Sequence, residues 1–132
     1  MATLNSFTEI EAWQKSRILS KEIYLITLTG TFAKDFGLKD QINRASGSMM
    51  DNIAEGFERG SKNEFVNALT YAKGSAGEVQ SQLFRALDRN HIADEEFNKL
   101  RHDAEKIGRM ISGFIVYLNG SEIRGSKFKG RI

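Results

Sequence analysis

The chain has 132 residues, a mass of 14.9 kDa and a formal net charge of +2, with 40% hydrophobic and 27% charged residues. Those figures describe one globular domain with a packed core and exclude wholesale disorder. With no cysteine, a disulfide framework and a thiolate metal site are excluded too, which fits a reducing compartment.

No apolar run approaches the roughly 20 residues of a membrane span. The first seven residues lack the basic-then-apolar pattern of a secretory signal. A cytoplasmic location without membrane contact is therefore expected. Proline is also absent. Proline ends helices and populates loops, so its absence predicts long helices joined by short turns.

Ser6 or Thr8 can cap a first helix running to about residue 34. Its apolar residues include Ile10, Trp13, Ile18, Leu19, Ile23, Leu25, Ile26, Leu28 and Phe32, and they cover more than half of the circumference. A helix facing one neighbour needs a stripe of only about 100°. Burial on two sides is expected, in the core and in a subunit contact. Thr27, Thr29, Gly30 and Thr31 make the end of this helix weak.

Asp35-Phe36-Gly37 reads as a turn, followed by a second helix over about residues 38–57. Leu38, Ile42, Ala45, Met49 and Ile53 form its core face. Arg44, Ser48, Asp51 or Asn52, Glu55 and Arg59 form a polar line beside it, and Gly56 and Gly60 are expected to stop it. Ser61 and Glu64 make a capping box opening a third helix to about residue 89. Its core stripe runs from Phe65 through Leu69, Ala72, Ala76, Val79 and Leu83 to Leu87; its polar stripe is Tyr71, Ser75, Glu78, Gln82 and Arg85. Gly74 and Gly77 lie mid-helix, each costing about 0.5–1 kcal/mol relative to alanine, which close approach of another backbone would explain.

Asn90-His91 marks a turn and Asp94 is a candidate cap for a fourth helix. Phe97, Leu100, Ala104, Ile107, Ile111, Phe114, Ile115 and Leu118 give it a single stripe, ended by Asn119-Gly120. These elements predict an all-α, antiparallel up-down-up-down four-helix bundle over residues 1–120 and a flexible basic tail over residues 121–132.

Charge is unevenly placed. The tail carries Arg124, Lys127, Lys129 and Arg131 against Glu122, a net +3, so the body sums to −1. Phe128 lies among those cations and can stack on an unpaired base. Arg124, Lys127, Phe128, Lys129 and Arg131 are thus the candidate nucleic-acid contacts. A solubilising end is the plainer reading of the same residues.

The densest polar set at helical spacing lies over residues 41–78: Gln41-Ile42, Arg44-Ala45, Ser48, Asn52-Ile53-Ala54-Glu55-Gly56, Arg59, Glu64-Phe65, Leu69, Gly74-Ser75 and Glu78, with Gln82-Leu83 beyond. On these residues the chain resembles the small bacterial four-helix bundle proteins first associated with intervening sequences in large-subunit ribosomal RNA genes. The five residues 52–56 are the most specific part, and the resemblance extends more loosely from Phe7 to Leu118. That family is similar to the accessory variability determinant of diversity-generating retroelements, a pentameric assembly of such bundles that binds nucleic acid and a reverse transcriptase. The resemblance implies a homopentamer, contact with RNA or DNA or with a reverse transcriptase, and no catalytic activity. Two departures stand out. Asn43-Arg44 replaces a pair of arginines common in the family, and Met50-Asp51 stands where many members have a proline.

Arg44, Asn52, Glu55, Arg59, Ser75 and Glu78 admit two readings, a ligand or partner site and an inter-helix network fixing register. Glu55 and Arg59 are an ordinary i,i+4 pair, which favours the network. A di-metal site needs Glu-x-x-His on two helices; the histidines are His91 and His102, preceded at that spacing by Asp88 and Lys99, so no metal or other cofactor is expected. No Gly-x-Ser-x-Gly elbow or Gly-x-x-x-x-Gly-Lys run is present. Gly74-Ser75-Ala76-Gly77 falls inside a helix, not in a nucleic-acid-clamping loop. The expected function is a non-enzymatic oligomeric module touching RNA or DNA through a basic rim. The rival is an adaptor whose ligand is a protein such as a reverse transcriptase. Val66 and Phe84, off the core stripe, are candidates for the subunit contact.

Overall fold

The helices begin where side chains or the preceding turn satisfy their free backbone N–H groups. In the computed structural model, which describes residues 4–120, Ser6 caps a 3-10 turn over Phe7–Glu9, accepting from the N–H of Thr8. That turn runs into α1 (Glu11–Ile26). Asp35 caps α2 (Phe36–Arg59), its carboxylate accepting from Leu38 N–H. Ser61 caps α3 (Lys62–Asp88) by accepting from Glu64 N–H. The fourth helix, α4 (Asp94–Asn119), starts one residue earlier than expected: Ala93 is the N-cap and Asp94 the first helical residue. There Glu96 accepts from the Ala93 N–H, and three acidic residues in the first turn favour the positive end of the helix dipole.

The first helix is shorter than its apolar pattern suggests. It stops at Ile26, not near residue 34. The buried Thr27 hydroxyl donates to the Tyr24 carbonyl at 2.7 Å, Gly30 adopts φ +57°, and a separate 3-10 turn over Phe32–Lys34 buries Phe32. Residues that bond their own backbone compete with helix continuation, and glycine supplies the left-handed turn. At the other boundary α2 runs through Gly56 and ends at Arg59, where Gly60 at φ +80° is its C-cap. Gly56 does not stop the helix. It is a contact point: a Cβ there would overlap the Ala68 methyl of α3 and crowd the Phe65 ring.

Four α-helices form a closed ring in which α1 touches α2 and α4, and α3 touches α2 and α4. Short connections make neighbours antiparallel, giving the up-down-up-down bundle. The α2–α3 seam is the most extensive and the α1–α4 seam the least. All five core-face residues of α2 are buried, as are Phe65, Leu69, Ala72, Ala76, Val79 and Leu83 of α3. Leu87 of α3 and Phe114 and Ile115 of α4 are half-buried. Across the α1–α4 seam, Lys99 bridges Glu22 and Asp103, and the Glu22 carboxylate raises the Lys99 ammonium pKa above its ordinary value.

One face of α1 stays uncovered. Ile18 is 56% exposed and Leu25 50%, two turns apart on one line of the helix, with Tyr24 and Leu28 also open. Gly74 and Gly77 are likewise open: apart from the backbone of α3 itself, no described atom lies within 4 Å of a Cβ built on either. The close approach expected for them is therefore absent inside the bundle. Of the other two contact candidates, Phe84 is partly covered by the Phe97 ring (centroids 4.8 Å apart) and by Arg101, and Val66 is half-buried against the core. Among the described residues no helix is long and apolar enough to cross a membrane.

Candidate functional site

The polar stripes of α2 and α3 face each other along one side of their seam. They form a groove of about 470 Å³ lined by Gln41, Arg44, Ala45 and Ser48 of α2 and Glu78, Ser81, Gln82 and Arg85 of α3. A second hollow of about 540 Å³ continues along α2 past Arg44, Gly47, Ser48, Asp51, Asn52 and Glu55. The two share Arg44 and Ser48.

Part of this stripe is the packing network. Asn52 Nδ2 donates to the Ser48 carbonyl at 2.9 Å and to Ser48 Oγ at 2.8 Å. Ser75 Oγ, buried on α3, donates to Ser48 Oγ at 2.9 Å. Ser48 thus links the helices in the middle of their seam. Arg85 Nη1 ties the end of the groove, donating to Gln41 Oε1 at 2.7 Å.

The charged residues behave otherwise. Arg44 pairs along its own helix with Asp40 at 2.9 Å, both side chains more than half exposed. Arg59 lies between Glu55 at 3.8 Å and Glu64 at 3.4 Å, again on the surface. Exposed pairs of this kind contribute about 0–1 kcal/mol. Glu78 is exposed and makes no hydrogen bond or ion pair among the described residues, although Arg44 and Arg85 line the same groove. Asn52 and Ser75 thus meet at Ser48, while Glu78 takes no part in that set. Gln82, 9% exposed, has no hydrogen-bond partner for its Oε1.

Two residues absent from the expected set hold the connections. Asn43, at the position where an arginine was expected by resemblance, donates from Nδ2 to Thr27 Oγ1 at 3.1 Å and to the Lys39 carbonyl at 2.9 Å. His91, in the α3–α4 turn, lies 2.8 Å from both Asp35 Oδ2 and Thr31 Oγ1 and stacks on Phe32, centroids 5.0 Å apart. Arg89 Nη1 donates to the same Asp35 oxygen at 2.8 Å. The His91 bond first, and Arg89 second, hold the Asp35 carboxyl down at about 2, against an ordinary 3.8. Because Asp35 also caps α2, this cluster ties two connections to a helix end.

Gln41, Gln82 and Arg85 had a visible signal, steps of three and four along facing stripes, but their convergence depends on the rotation of α3 against α2. Arg124, Lys127, Phe128, Lys129 and Arg131 lie outside the described residues. Among the described residues no three His, Cys, Asp or Glu side chains are grouped to hold a metal ion.

Residues 8–113 match the family model described as "23S rRNA-intervening sequence protein". A solved structure from Bacteroides thetaiotaomicron VPI-5482, described as a protein of unknown function from the S23 ribosomal protein family, superposes with a TM-score of 0.74 at 24% identity, covering 80% of this chain and 95% of that one. At that identity the likeness speaks for the fold alone. No curated protein matches the chain.

Proposed function

The chain belongs to the 23S rRNA-intervening sequence protein family, and from that premise we propose that it is a non-enzymatic, self-associating protein of the cytoplasm that binds RNA or DNA. The observation that carries self-association is the open apolar face of α1. Ile18 and Leu25 are each at least half exposed on one line of a helix whose other side is fully packed. Clustered exposed apolar side chains of this size mark contact surfaces. A pentamer, as the resemblance implies, would bring several copies of the +3 segment over residues 121–132 into one assembly. Their combined field attracts polyanions far more strongly than a single +3 tail.

The polar geometry supports binding in preference to catalysis. The hydroxyl–imidazole–carboxylate string Thr31–His91–Asp35 is shared with Arg89 and with the N-terminus of α2, and its ring is stacked on a buried phenylalanine. That arrangement fastens two connections.

The test is a fluorescence-anisotropy titration of labelled structured RNA and duplex DNA at several salt concentrations. The intact chain is compared with one truncated after Gly120, and light scattering gives the mass of each. Micromolar or tighter binding that falls steeply with salt and weakens on truncation supports the proposal. Oligomers that bind no nucleic acid at low salt turn the reading to a protein ligand, such as a reverse transcriptase.

A further inference from the structure

The α2–α3 groove contains a carboxylate that packing does not explain. Ser48 is held by Asn52 and Ser75 and Arg85 by Gln41, while Arg44 pairs with Asp40 on the open surface and is free to turn to a ligand. Glu78 projects among these groups unpaired. Beside it Gln82, nine-tenths buried, keeps an acceptor oxygen without a partner. A carboxylate in a groove lined by two arginines repels a bare phosphate chain. It becomes favourable where the ligand presents N–H donors next to its phosphates.

We propose that this groove holds one unpaired guanine nucleotide of a single-stranded nucleic acid, with Glu78 accepting from the base and Arg44 and Arg85 contacting the base plane and the flanking phosphates. This rests on the nucleic-acid reading above and adds to it a site in the bundle that is separate from the basic tail. Guanine alone among the bases carries two adjacent donors, N1–H and the N2 amino group, on its Watson–Crick edge. They match the two oxygens of one carboxylate. Unpaired bases are commonly held by hydrogen bonds to that edge and by stacking on guanidinium planes. The volume of about 470 Å³ lies within the range of small-ligand sites. The adjoining hollow carries Asp51 and Glu55 against Arg44, so the flanking phosphates stay on the Arg44 and Arg85 side of the groove.

The experiment uses the full chain and three labelled probes: a short oligouridine, the same strand with one central guanosine, and the same strand with inosine there. Inosine lacks the N2 amino group. Affinities are measured for the wild type, Glu78→Gln and Arg44→Ala, with helicity checked by circular dichroism. The guanosine strand is expected to bind about tenfold tighter than oligouridine, with inosine between. Glu78→Gln removes that preference and leaves oligouridine affinity unchanged or higher, whereas Arg44→Ala weakens all three probes. Equal binding of the three probes by wild type, or guanine preference surviving Glu78→Gln, overturns the site while salt-dependent RNA binding keeps the broader function. A wild-type chain that binds no RNA or DNA overturns both.

Discussion

His91 and Asp35, 56 residues apart in sequence, meet at 2.8 Å at one end of the bundle. An ionised carboxylate only accepts, so His91 Nε2 donates; in the neutral ring Nδ1 then accepts from the Thr31 hydroxyl. Replacing His91 with alanine removes both bonds and the stack on Phe32. A loss of about 1–3 kcal/mol in urea unfolding is expected, with the helical spectrum retained.

The same contact makes stability depend on acid. Folding lowers the Asp35 carboxyl from 3.8 to about 2, so the folded state favours the ionised form. The resulting stabilisation is complete above pH 3.8 and is lost as pH falls from there through about 2. Urea midpoints of wild type and Asp35→Asn should differ most near neutral pH and converge as pH approaches 2. A gap that stays constant with pH would refute this assignment.

Gly56 and the two α3 glycines should respond to alanine in opposite directions. Gly56→Ala forces a methyl against Ala68 and Phe65, costing about 1–3 kcal/mol. Gly74→Ala and Gly77→Ala meet open space and improve helix propensity, so each should stabilise the dilute protein by about 0.5–1 kcal/mol, read as a higher thermal midpoint. If either α3 variant instead lowers the assembled mass in light scattering, a second copy covers that position.

Charge on the open face of α1 should separate folding from assembly. Ile18→Lys and Leu25→Lys alter side chains at least half exposed in the single chain. Helicity should persist while the mass by light scattering falls toward 14.9 kDa. An unchanged mass would place the contact elsewhere.

The ladders of apolar residues on α2, α3 and α4 were legible because they recur at every turn. Leu38, Ile42, Ala45, Met49 and Ile53 are all buried. The end of α1 was not, because Leu28 and Phe32 continue its apolar spacing while the backbone has already left the helix. Phe32 is buried from a 3-10 turn. At the groove, the polar stripes could be read from sequence, but the pairs Ser48–Ser75 and Gln41–Arg85 could not. They depend on how far α3 is shifted and rotated against α2, which the whole core sets. The His91 clamp left no local trace, since its partners come from another connection. Gly56 carried a misleading signal: a glycine late in a helix usually reads as a stop, and here it admits a neighbour.

The seams of the ring are unequal, and three of them join helices adjacent in sequence. Such contacts close short stretches of chain, which favours fast folding. Only the sparse α1–α4 seam must bring the two ends of the bundle together. Amide hydrogens facing it should therefore exchange with solvent sooner than those of α2 and α3, and α1 should be the first helix released when the protein opens. A helix so released would carry its uncovered apolar line with it, ready to pack against another chain.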